Sequence, residues 1–169
     1  MTARPRQHLL AEAPMEPSQP KPKQPFIDAL RRRRAELRES MSALELALAS
    51  PAPEDQARWV ERVHVALVEL SADFRQHITI TEGSDGLYHE LLQTVPRLSG
   101  ALARLTRDHA VITRQLDDLL GYATTPATNQ VVDDVRDLGT ALLGALVRHR
   151  QRGADLVYEA FHLDIGGET

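Results

Sequence analysis

Apolar residues recur at intervals of three and four along four stretches of this 169-residue chain, the spacing that lines one face of an α-helix. The first stretch carries Leu30, Leu37, Met41, Leu44 and Leu48 and predicts a helix over 27–49, ended by Ser50, Pro51 and Pro53. The second carries Val60, Val63, Leu67, Leu70, Phe74 and His77 and predicts a helix from near Glu54 to Glu82. A break at Gly83, Ser84, Asp85 and Gly86 follows, then a short helical piece through Tyr88 and Leu92. Pro96 suits the first turn of a third long helix reaching Tyr122, with Leu98, Leu102, Leu105, His109, Ile112 and Leu116 on its stripe. After a loop over 124–129, a fourth helix carries Val135, Leu138, Leu142, Ala145 and His149 and ends near Phe161. Four long amphipathic helices on short loops predict an all-α, up-down-up-down four-helix bundle.

Three stripe positions break the apolar rule in the same way. His77, His109 and His149 each sit where their neighbours point into the core, so all three imidazoles are expected to face inward. An unpartnered buried imidazole costs about 1–3 kcal/mol, so three in one interior require hydrogen bonds, carboxylates or a metal ion. The chain also repeats. An offset of 72 residues sets His77 on His149, Leu37 on His109, Leu44 on Leu116, Val63 on Val135 and Leu70 on Leu142. Two helix hairpins of one design produce such a register and place residues 37, 77, 109 and 149 in one cross-section.

Composition narrows the setting. Residues 1–25, with Pro14, Pro17, Pro20, Pro22 and Pro25, offer little to pack and are expected to form a disordered tail before the bundle at 26–163. Residues 164–169, in which Asp164 to Glu168 could cap the last helix through its glycines, form a short C-terminal tail. A net charge of −4 with mixed signs argues against nucleic acid as a partner. With no cysteine, disulfides, thiolate metal sites and a thiol nucleophile are excluded, which suits a cytoplasmic protein. No apolar run has the length of a membrane span, and no apolar segment of the secretory kind follows Met1 to Gln7. No nucleophile elbow, phosphate-cradling loop or inward carboxylate pair is present, so binding rather than catalysis is expected. The basic run Arg31 to Arg34 reads as a solvated helix face, and His64, His89 and His162 as surface residues. Tyr88 and Tyr158, in similar surroundings in the two halves, are expected to cover the bundle end.

Over residues 27–162 the inward histidines and the duplication resemble the hemerythrin-like (HHE cation-binding) domain family. The resemblance implies a duplicated four-helix bundle with a non-haem di-iron site at one end. In that family the first and third helices bear inward histidines, and the second and fourth each bear a histidine followed four or five residues later by a carboxylate. Here His77 is followed by Glu82, His109 stands in Arg107-Asp108-His109, and His149 lies on the fourth helix. The first-helix position is Leu37, Thr113 follows His109 one turn on, and Gly153 and Ala154 stand where a carboxylate belongs after His149. Asp155 lies six residues on, round to another face. Two irons need bridging carboxylates, and Glu82 is the one the resemblance provides, so a single iron or zinc held by His77, His109, His149 and Glu82 fits better than a full di-iron centre. The expected role is sensing, storage or handling of a small diatomic ligand such as dioxygen or nitric oxide. The alternative is a metal-free bundle acting as a protein adaptor, its neutral histidines bonded to Thr81, Thr113, Asp108 or backbone carbonyls.

Overall fold

The computed structural model describes residues 24–52 and 55–162. The N-terminal tail up to residue 23, Pro53, Glu54 and the C-terminal tail lie outside the described residues, as do the side chains of Phe161 and His162. Helix α1 spans Gln24–Ala49, α2 Gln56–Glu82, α3 Leu87–Thr94, α4 Ser99–Tyr122 and α5 Asn129–His162, and a 3₁₀ turn at Pro96–Leu98 leads into α4. Among the described residues there is no strand. The fold is the expected all-α bundle, with α3 as a short addition.

Local chemistry sets the boundaries. Pro25 falls within the first turn of α1, where its missing N–H costs nothing, so the helix begins three residues before the expected Ile27. The Asp55 carboxylate accepts from the Arg58 N–H at 2.9 Å and caps α2. At the other end the Gly83 N–H donates to the Thr79 carbonyl at 3.0 Å. The chain then doubles back so tightly that a Cβ on Gly86 would lie 2.7 Å from the Thr81 carbonyl oxygen and 2.8 Å from that of Gly83. Only glycine permits this turn, and it sets α3 across the end of the bundle with Leu87, Tyr88 and Leu91 buried.

Helices α1 and α2 form one hairpin and α4 and α5 the other; α2 packs beside α4 and α1 beside α5, giving a closed ring of four. Every stripe position named for α1, α2 and α4 is buried. Trp59 anchors the far end, fully buried, donating from its indole N–H to the Ser50 carbonyl at 3.0 Å with the Arg136 guanidinium 4.9 Å from its ring centre.

The α5 stripe differs from expectation. Val135, Leu142 and His149 are buried, but Leu138 is 49% exposed and Ala145 only partly covered; Gly139 and Leu146 occupy the core instead. The two patterns, 135-138-142-145-149 and 135-139-142-146-149, share alternate members, and the closeness of α1 decides between them. A Cβ on Gly139 would lie 2.7 Å from a Leu48 methyl, so the glycine is what admits Leu48 between the two helices. Leu146→Ala is therefore expected to destabilise the bundle by about 2–5 kcal/mol, whereas Leu138→Ala changes stability by no more than about 0.5 kcal/mol. Urea unfolding of the two variants measures both; equal effects would contradict this assignment of the core face.

Candidate metal centre

The apolar interior is divided in two. One cluster runs from Trp59 to Leu37, Phe74 and Ile112; the other, at the end closed by α3, contains Leu30, Leu87, Tyr88, Leu105 and Leu156. His77 from α2, His109 from α4 and His149 from α5 lie between them, each no more than 8% exposed, with Leu37 of α1 at 1% completing the cross-section. The expectation that the three imidazoles share one layer and face inward is met.

Their ligating nitrogens converge. His149 Nε2 lies 3.2 Å from His77 Nε2 and 3.1 Å from His109 Nε2, and one nitrogen from each ring lies within 4.8 Å of the others. Two imidazole nitrogens bound at 2.0–2.1 Å to one tetrahedral ion stand roughly 3.3 Å apart, so the observed spacing suits a shared ion. Hydrogen bonding alone does not satisfy the cluster, because a ring nitrogen offers one in-plane proton or one lone pair and His149 Nε2 faces two neighbours. The buried Nδ1 atoms of His77 and His149 have no hydrogen-bond partner among the described residues.

The partners considered for a metal-free cluster are engaged elsewhere. The Thr81 hydroxyl donates to the His77 carbonyl at 2.8 Å, within its own helix. Asp108 Oδ2 stands 3.7 Å from His149 Nδ1, beyond hydrogen-bond reach, and accepts from Arg152 at 2.6 Å. Thr113 makes no hydrogen bond to an imidazole among the described residues. Asp155 is exposed and accepts from Gln151 at 2.8 Å.

Glu82 occupies a different place from the three rings. Its carboxylate accepts from Nδ1 of His109, the nitrogen turned away from the cluster. It thus stands behind a candidate ligand, and the group of converging donor atoms among the described residues contains three imidazoles without a carboxylate. The contact fixes the His109 tautomer, leaving Nε2 with its lone pair aimed at its neighbours.

Two aromatic rings enclose the layer. Phe74 lies beneath, its ring centre 5.7–6.1 Å from all three imidazoles, and Tyr88 stacks on His109 at 5.8 Å with the planes 5° apart. The expected pairing of Tyr88 with Tyr158 does not hold: Tyr88 is buried, Tyr158 is 62% exposed, and under the 72-residue offset Tyr88 corresponds to Ala160. His89 is exposed as expected; His64 is half-buried, with a buried Nδ1 that finds no partner among the described residues.

The basic run is not wholly the solvated face expected of it: Arg33, paired with Glu36 at 2.6 Å, and Arg34 are both half-buried. Arg31 and Arg32 are exposed, but Arg34 is half-buried and its guanidinium is withdrawn enough from water to pull its pKa below the usual arginine value, chiefly by desolvation. The signal is present in the spacing: Leu30, Arg34, Leu37, Met41, Leu44 and Leu48 form an unbroken four-three stripe in which Arg34 is the one charged member.

Burial dominates the electrostatics of the imidazoles. It pushes His77 down to about 3, helped by the neighbouring His109 and His149. It pushes His149 to about 4, with His109 adding to the effect. His109 is also lowered by burial, against the opposing pull of Glu82. Neutral rings near pH 7 are the protonation state that a metal requires.

A family model described as the hemerythrin HHE cation binding domain matches residues 26–161. No curated protein and no solved structure matches the chain.

In the unfolded chain histidine takes up a proton near its ordinary 6.5, whereas the buried His77 and His149 do so only near 3 and 4. The unfolded state therefore binds more protons below pH 6.5, and stability present above that pH is lost as pH falls toward 4. Metal-free protein should lose about 2 kcal/mol or more between pH 7 and 5. His77→Leu should remove much of this slope. Thermal melts across the range measure it, and parallel profiles for the two proteins would contradict the assignment.

Proposed function

We propose a mononuclear metal-binding role for this chain, which belongs to the hemerythrin HHE cation-binding domain family. The observation that carries the reading is the convergence of His77, His109 and His149 through their Nε2 atoms, at a spacing suited to one ion. Family membership supports metal binding in general; the donor set supports one ion. Two cations in one buried site need anionic bridges to offset their repulsion, and the converging donors are all neutral imidazoles. Iron and zinc both accept three imidazoles, and each would retain open coordination positions. An ion held there would supply a Lewis-acidic or redox-active centre for a small ligand, with dioxygen and nitric oxide as the candidates.

The chain's own residues divide the remaining work. Glu82 orients His109 and raises the basicity of its ring. Phe74 closes the layer from beneath and Tyr88 covers His109, excluding water from those sides. Leu37 contributes no donor from α1, so the ligand set is open toward the α1 side. The role this reading gives the ion is binding, in sensing, storage or handling of the small ligand, rather than catalysis. No helix among the described residues is long and apolar enough to cross a membrane.

Protein isolated from iron-supplemented cells, or reconstituted with iron(II), cobalt(II) or zinc, should hold close to one ion per chain by elemental analysis. The ion should raise the melting temperature, because it binds the folded state. His109→Ala should abolish both effects. Glu82→Gln should weaken metal affinity by about 10–100-fold while leaving stoichiometry at one. Less than about a tenth of an ion per chain, with melting indifferent to chelator, would sink this reading and leave the metal-free adaptor.

A further inference from the structure

A cavity of about 430 Å³ lies between α1 and α5, under α3, and reaches His77 and His149. Four guanidinium-bearing side chains line it: Arg31, Arg34 and Arg38 from α1 and Arg150 from α5. Among the described residues no acidic side chain lines it. Arg31 has an exposed partner in Asp28 at 3.6 Å, but Arg34, Arg38 and Arg150 have no carboxylate within ion-pair distance among the described residues. Arg34 is partly desolvated, and Arg150 is close enough to disfavour its charge further. Arg34 is half-buried and Arg31, Arg38 and Arg150 are exposed, so the four set a positive field at the cavity mouth that draws in an anion.

The rest of the lining selects the kind of anion. Val147 and Ala154 of α5 bring exposed apolar surface to the cavity beside the arginines, above the buried Leu37, Leu87, Leu105 and Leu156. A bare inorganic ion would leave that surface against water, whereas a carboxylate with a short hydrocarbon body covers it. The volume suits such a molecule.

We propose that this cavity is a binding site for a small organic monocarboxylate, its head on Arg34 with Arg38 and Arg150 beside it and its apolar body against Val147 and Ala154. Arginine's planar fork matches a carboxylate in two parallel hydrogen bonds, which makes Arg34 the anchor and the others a supporting field. The site adjoins the histidine layer without depending on it. Anion binding is expected in protein stripped of metal by chelator, so its failure is distinguishable from failure of the triad to take an ion.

Titration calorimetry on the full chain, metal-free, with octanoate, 1-octanol and inorganic phosphate as probes tests this. Octanoate should bind one to one and at least about tenfold more tightly than octanol or phosphate. Arg34→Met should weaken octanoate by about tenfold or more, leave octanol unchanged and keep the parent's helix content. Arg34→Lys should recover part of the loss. Arg150→Gln, on an exposed position of α5 where folding is not at stake, should weaken octanoate to a smaller degree. Octanoate binding no tighter than octanol, phosphate matching octanoate, or Arg34→Met and Arg150→Gln both leaving octanoate affinity intact would each overturn the proposal.

Discussion

Everything distinctive in this bundle follows from setting three imidazoles at one depth of an apolar core. A four-helix bundle is held by the apolar stripes of its helices, and a continuous stripe would have done that alone. Here the stripe is interrupted at one depth on three of four helices. The rings lean on each other through Nε2 atoms 3.1–3.2 Å apart, and two of their outer nitrogens find no partner. A core maintained only for packing has no use for such a layer, because a leucine, as at position 37, fills the same space without unsatisfied polar atoms.

The surroundings are arranged for that layer on two sides and against simple cation binding on a third. Phe74 and Tyr88 give the rings aromatic faces, and Glu82 sets the tautomer of one of them. On the side of α1 the guanidinium groups bring positive charge up to the same histidines, and Arg34 disfavours protonation of His77 through space. By the same Coulomb interaction those guanidiniums oppose a bare divalent cation and favour any arrangement in which an anion stands between. Where the resemblance calls for a histidine on the first helix and a carboxylate after His149, this chain places Leu37, Gly153 and Ala154, with arginine next to them. A ligand from outside that brings its own negative charge fits that exchange.

The family and the architecture were readable in the linear chain because helical periodicity is a local property. Spacings of three and four place side chains on one face whatever the helix packs against, so the stripes of α1, α2 and α4 and the inward turn of His77, His109 and His149 needed no partner to be inferred. The 72-residue offset then tied the four helices to one register, because duplicated hairpins align their layers. Arg34 was equally present in the spacing. Its place on the α1 stripe was hidden by its neighbours in the basic run, of which Arg31 and Arg32 do face water.

Tertiary structure decided what spacing leaves degenerate. Leu138 and Gly139, or Ala145 and Leu146, could each serve a stripe through Val135, Leu142 and His149, and the approach of Leu48 from α1 selected the glycine and Leu146. Glu82 lies five residues after His77, yet its carboxylate meets the far nitrogen of His109, because the end of α2 passes close to α4 there. Tyr88 stacks on His109 only because the turn at Gly86 folds α3 back over the bundle. The chain by itself determined which residues of α1, α2 and α4 lie inside and that the three histidines share one depth, since periodicity acts on one helix at a time and the repeat aligns them. Which nitrogen each acid meets, and which arginine borders the histidines, depended on distances between helices, and those exist only once the four are packed.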